Sequence, residues 1–163
     1  MLNLSERSYY SFVIMNIKEE IQQSRFRNNY QMAAINLIYT SGWLANKHKE
    51  FFNKFGITVQ QFNILSILRG QFPNKISGAE IKNRMMDKNS DVSRLLDRLI
   101  IKDLVSKSKS PNDKRAADVV ITKNGLNLLS TIDAKIKALD NIISHLTEVE
   151  AEQLSALLDR LRG

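Results

Sequence analysis

The apolar positions of this chain fall into a succession of helical patterns broken once by a short alternating one. From about Tyr30 to Lys54, Leu37, Leu44, Phe51 and Phe55 recur at steps of seven and four, with Ser41 and His48 on the same line. That spacing predicts one long helix, and Gly56 stands where a helix-terminating glycine belongs. Upstream, Phe12, Val13, Ile17, Ile21 and Phe26 lie among charges at looser helical spacing. They predict a helical extension over roughly Ser5–Arg27.

Two helix starts of one kind follow. Thr58 with Gln61 forms a capping box, bracketed by Ile57 and Phe62 as a hydrophobic staple; Ser77 with Glu80 repeats it between Ile76 and Ile81. The first helix is expected to end near Gly70, with a loop through Pro73, and the second near Met86. Asp87, Lys88 and Asn89 then make a turn, and Ser90 is placed to cap a third helix ending near Lys102. Val92, Leu95, Leu96 and Leu99 give that helix one buried stripe. Helix, short turn, helix is the helix-turn-helix pattern.

After Lys102 the period shortens towards two. Leu104–Ser108 and Ala116–Ile121 are short and rich in β-branched residues, and Pro111, Asn112 and Asp113 lie between them. This predicts a β-hairpin with a basic, polar tip. Thr122 is placed to cap a long helix on which Leu129, Ile132, Ile136, Leu139, Ile143 and Leu146 alternate steps of three and four, a coiled-coil-like seam. A third capping box, Thr147 with Glu150, opens a last helix striped by Leu154, Leu157, Leu158 and Leu161.

The predicted fold is mostly α with a small β-hairpin wing: a winged helix-turn-helix lobe plus a helical dimerisation region. Its expected parts are an N-terminal helical extension (1–29), a scaffold helix (30–56), a winged lobe (57–122) and C-terminal dimerisation helices (123–163).

Charge adds a direction. Lys and Arg number 24 against 17 Asp and Glu, a net +7. Residues 57–122 hold 12 of the basic and 7 of the acidic side chains, whereas residues 123–163 hold 5 and 6. The surplus therefore sits on the expected winged lobe, which favours an anionic partner there. Cysteine is absent, which excludes disulfides, thiolate metal sites and cysteine-based catalysis or redox sensing. His48 and His145 are far apart in sequence and lack metal-ligand spacing. No phosphate-cradling glycine loop or serine-nucleophile elbow occurs. The reading is of a non-enzyme without cofactors. No apolar run reaches the ~18 residues needed to span a bilayer, and the apolar stretch at Phe12–Met15 is too short for a signal peptide. A cytoplasmic location is the expectation.

A helix-turn-helix followed by a basic hairpin fits double-stranded DNA, with the second helix in the major groove. Lys88, Asn89, Ser90, Ser93 and Arg94 fall at the turn and on the polar face of that helix, and Arg98 lies one turn further on. Asn and Arg suit adenine and guanine edges, and Arg98 suits phosphate. Lys107, Lys109, Lys114 and Arg115 would bring the hairpin to the backbone or an adjacent minor groove. Asp91 and Asp97 temper the charge of the helix, either by favouring its N-terminus or by pairing with Arg94 or Arg98.

The same residues resemble a known family. From about Tyr30 to Gly163 the chain is similar to winged-helix regulators of the multiple antibiotic resistance regulator (MarR) type. Asp113 and Arg115, followed by Val119, Ile121, Thr122 and Gly125, match the family's wing motif. Ser93, Arg94, Asp97, Arg98 and Leu99, then Leu104 and Val105, match its recognition-helix block, and Ile57–Phe62 matches its first lobe helix. Asp103 stands where the family usually has Gly, and Lys107 where it often has Arg. Asp tolerates the left-handed backbone that Gly would supply.

The resemblance implies a homodimeric transcriptional regulator, typically a ligand-responsive repressor, on a pseudo-palindromic operator. It implies that Asp113 holds the wing turn while Arg115 contacts DNA. It also implies a cleft for a small aromatic or phenolic ligand, for which Trp43, His48 and Phe51 are the candidates; packing in the core or dimer is the competing role for these rings. The seam Leu129–Leu146 supports dimerisation independently, being longer than one winged lobe can cover. Two other readings compete: a winged-helix protein-interaction module without DNA binding, and a membrane-surface protein using Phe12–Phe26. The mixed charges of Lys18, Glu19, Glu20, Arg25 and Arg27 count against the second.

Overall fold

The structure, a computed structural model, describes residues 16–109 and 117–163. The chain forms two compact units, residues 1–44 and 45–163. The division falls inside a helix.

In the first unit, α1 (Ile17–Glu20) is a single turn. Its capping box was not anticipated: the Asn16 carboxamide oxygen accepts from the Lys18 and Glu19 amides, and Glu19 reaches back to the Asn16 amide. Beyond Glu20 the expected extension to Arg27 is not helical. Gln22 adopts a left-handed conformation (φ 54°), which ends the turn and redirects the chain. The part of that extension before Asn16 lies outside the described residues. α2 (Asn29–Asn53) matches the long helix read from the sequence, and Gly56, at φ 69°, follows its end.

The second unit is built around α3 (Val59–Gln71). Thr58 and Gln61 close their capping box, the Gln61 amide donating to Thr58 Oγ1 at 3.2 Å and the Thr58 amide to Gln61 Oε1 at 3.0 Å. Strand β1 (Ile76–Ser77) leads into α4 (Gly78–Arg84), capped by Ser77 and Glu80 as expected. α5 (Val92–Ile101) is followed by strands β2 (Val105–Lys109) and β3 (Ala117–Ile121). The sheet has three antiparallel strands in the order β1-β3-β2, one more than the expected hairpin. Two residues carry too little alternation to announce a strand, but Ile76 pairs with Val119 and is buried beside it.

α3 packs against α4, α5, β3 and the following helix, α6 (Lys123–Asp133). Ile64, Leu65, Leu68, Ile81, Leu99, Val105, Val119 and Ile121, each at most 2% exposed, make the centre of this core. Phe51 and Phe52 close one side of it, with ring centroids 5.1 Å apart.

The expected seam from Leu129 to Leu146 is not one helix. α6 ends at Asp133, α7 (Lys137–Asp140) is a single turn, and residues 141–146 form turns before α8 (Glu148–Arg162). Leu129 and Ile132 are fully buried within the lobe, and Ile136 and Leu139 pack against its core. Only Ile143 and Leu146, 43% and 37% exposed, remain open. The periodicity was satisfied at home because α6 lies against α3, where the Asp133 carboxylate meets Arg69 at 2.5 Å.

Candidate nucleic-acid interface

The exposed face of α5 follows from how its other face is fixed. Val92, Leu96 and Leu99 are buried, which leaves Ser93, Arg94, Asp97, Arg98 and Ile101 on the outer side. Neither Arg94 nor Arg98 is ion-paired with Asp91 or Asp97. Both guanidinium groups are therefore available to an anion. Asp91 acts on the helix itself: its carboxylate caps α5 by accepting from the Arg94 amide at 3.1 Å, and its charge suits the N-terminal dipole.

That finding corrects the expected role of Ser90. Asp91, not Ser90, is the cap, and Ser90 is 8% exposed with its hydroxyl donating to Asp87 Oδ2 at 3.1 Å. A side chain so placed supports the turn. Asp87 also accepts from the Asn89 amide at 3.0 Å, so one carboxylate holds both sides of the turn. Lys88 is exposed, but its ammonium donates to the Asn83 carbonyl at 2.6 Å and satisfies an open end of α4. Asn63 on α3 accepts from the Met86 amide at 2.9 Å and pins the turn to the scaffold. The roles of Asn63 and Asp87 were not read from sequence. The first is long-range, and the second resembles any polar turn residue.

The wing stands beside this helix. β2 pairs with β3 so that Lys107 faces Val119 and Lys109 faces Ala117, both lysines being exposed. Lys75, ahead of β1, donates to Ser108 Oγ at 3.0 Å. Lys114, Arg115 and Asp113 lie outside the described residues. Arg98 lines a cleft of about 410 Å³ together with Asn53, Ile57, Gln61, Ile101 and Lys102. The Lys102 ammonium donates to the Gly56 carbonyl and links the end of α5 to the end of α2.

Of the three aromatic candidates for a ligand cleft, Trp43 belongs to the first unit and His48 and Phe51 to the second. Phe51 is 7% exposed within the lobe core, its ring 5.3 Å from that of Phe55, and His48 lies edge-on to Phe52 at 6.5 Å. These two pack. Trp43, 41% exposed, instead lines a cleft of about 620 Å³ in the first unit with Ile17, Lys18, Met32 and Tyr39. There the Tyr39 hydroxyl donates to the Glu20 carboxylate at 2.5 Å, which raises the phenol above its ordinary pKa.

Among the described residues, no three of His, Cys, Asp and Glu gather to hold a metal ion. No helix there is long and apolar enough to cross a membrane.

Known proteins resemble this arrangement. The model of the MarR family matches residues 57–117. The chain is 30% identical over 112 residues to the HTH-type transcriptional regulator PecS of Dickeya dadantii, spanning 68% of this chain and 68% of that protein. It is 32% identical over 113 residues to the HTH-type transcriptional repressor MdtR of Bacillus subtilis, spanning 69% of this chain and 72% of the relative. The solved structure of a mutant MarR from E. coli, complexed with operator DNA, shares the fold with a TM-score of 0.71 at 24% identity, covering 85% of this chain and 99% of that one. The chain belongs to the MarR family.

Proposed function

We propose that this protein is a sequence-specific DNA-binding transcriptional regulator acting as a homodimer on a pseudo-palindromic operator. The observation that carries the reading is the outer face of α5, where Arg94 and Arg98 stand exposed and unpaired next to a basic β-wing. A buried stripe of Val92, Leu96 and Leu99 decides which residues of α5 this face presents. The E. coli relative, solved with operator DNA, shares the architecture.

Dimerisation rests on α8. Val149, Leu154, Leu157 and Leu161 are 46–67% exposed on this single helix, and a second copy of the chain would cover them. Leu129 and Ile132 are already buried in the lobe, which favours α8 as the surface that a second copy covers. The B. subtilis relative is named a repressor, and the same action is proposed here, with release by a small aromatic or phenolic ligand. Of the three aromatic candidates, Trp43 is the most exposed and lines a cleft.

Selection of bound duplexes from a random pool tests the reading. It predicts recovery of two inverted half-sites about one helical turn apart. Recovery of unrelated sequences, or of none, would favour a winged-helix interaction module instead.

A further inference from the structure

The foot of the wing carries a side-chain bond that the fold alone does not require. Asp103, just before β2, has φ 55°. Glycine would adopt this conformation freely, but glycine has no side chain. The Asp103 carboxylate accepts from Asn124 Nδ2 at 2.7 Å, and its carbonyl oxygen accepts from the Thr122 hydroxyl at 2.8 Å. Thr122 and Asn124 are the first and third residues after β3, so both bonds close the hairpin at its base. Each end of the closure is firmly based. The Asp103 amide donates to the Ile100 carbonyl of α5 at 2.8 Å, while Thr122 caps α6 by accepting from the Gly125 amide at 3.1 Å.

We propose that Asp103 and Asn124 are wing-positioning residues. Their bond sets the angle at which Lys107 and Lys109 stand beside α5, and so the share of DNA affinity that the wing contributes. Both residues are exposed, and buried packing of Val105, Val119 and Ile121 holds the hairpin together without them. Loosening the bond therefore acts on pose more than on folding. The inference rests on the regulator reading above.

The test uses Asp103→Gly, Asn124→Ala, the double variant and Asp103→Asn, each measured for affinity to a selected duplex over a range of salt, for base preference and for thermal unfolding. Asn at 103 keeps both an acceptor oxygen and tolerance of the left-handed backbone, so it serves as the rescue. Asp103→Gly and Asn124→Ala are each expected to weaken binding about 3- to 10-fold, the range of one net hydrogen bond. The salt slope should fall by about 0.9 per lost phosphate contact. Base preference and melting temperature should hold, the double variant should be no weaker than the worse single one, and Asp103→Asn should bind as wild type. Unchanged affinity and slope, additive losses in the double variant, or losses that appear only with a lowered melting temperature would overturn the proposal. Failure of the wild-type protein to bind any duplex would overturn the regulator reading itself.

Discussion

Gly125 and the Leu104 carbonyl oxygen approach so closely that no side chain fits between them. A Cβ built on Gly125 overlaps that oxygen and lies 2.6 Å from Ile121 Cγ1. The contact brings the first turn of α6 against the strand that leaves α5. Because Gly125 is helical, propensity alone predicts that Gly125→Ala would stabilise the protein by about 1 kcal/mol. The packing predicts the opposite sign, a loss of roughly 1–3 kcal/mol, because a backbone oxygen cannot move aside as a flexible side chain would. Thermal unfolding of the variant distinguishes the two.

The capping carboxylates make stability depend on acidity. Glu80 lies below its ordinary value of 4.5 because the Ser77 amide, and then its hydroxyl, donate to it; Glu150 is lowered in the same way by Thr147. In each case the folded chain favours the ionised form. The contribution is complete above the ordinary carboxylate value and is lost as pH falls through the lowered one. Glu80→Gln with Glu150→Gln should therefore lower the melting temperature at neutral pH and flatten its decline in acid. Parallel declines in variant and wild type would show that these carboxylates do not act on stability.

α5 and the wing should separate in their effects on DNA. Arg94→Ala is expected to cost about 1–3 kcal/mol and to relax preference at one position per half-site. Lys109→Ala should weaken all duplexes alike and lower the salt slope by about one per contact. Quantitative binding to the selected operator and to single-base variants of it reads both. An Arg94→Ala protein that loses affinity equally for every sequence would reassign Arg94 to phosphate.

The interface should lie on α8. Leu157→Glu with Leu161→Glu is expected to give a folded monomer, since neither side chain belongs to the lobe core. Leu129→Ala should instead unfold or destabilise the lobe by about 2–5 kcal/mol. Mass in solution together with a thermal melt checks both. A dimer that survives the α8 substitutions would remove that helix from the interface.

What could be read in advance was local. Thr58 with Gln61, Ser77 with Glu80 and Thr147 with Glu150 all form their capping boxes, because such a box needs only four consecutive residues. Gly56 likewise announced its own left-handed turn. The seam misled because a three-four apolar repeat says that a face is buried, not what covers it. Here Leu129 and Ile132 lie in the lobe core on a helix that packs against α3, and the helix ends at Asp133 without Gly or Pro to mark the place. Ser90 and Asp91 are adjacent and equally good caps by residue type, and only the bond to the Arg94 amide decides between them. Trp43 and Phe51 are both aromatics of α2, yet one is open and the other is core, a difference set by the elements around them.

The exposed basic face of α5 and the wing is placed to neutralise DNA phosphates, and the salt dependence of duplex binding reads that neutralisation. If a dimer covers about six to ten phosphates, affinity for the selected operator should fall roughly 10³- to 10⁵-fold between about 50 and 200 mM salt. A flat dependence over that range would mean that this face does not bind DNA through its phosphates.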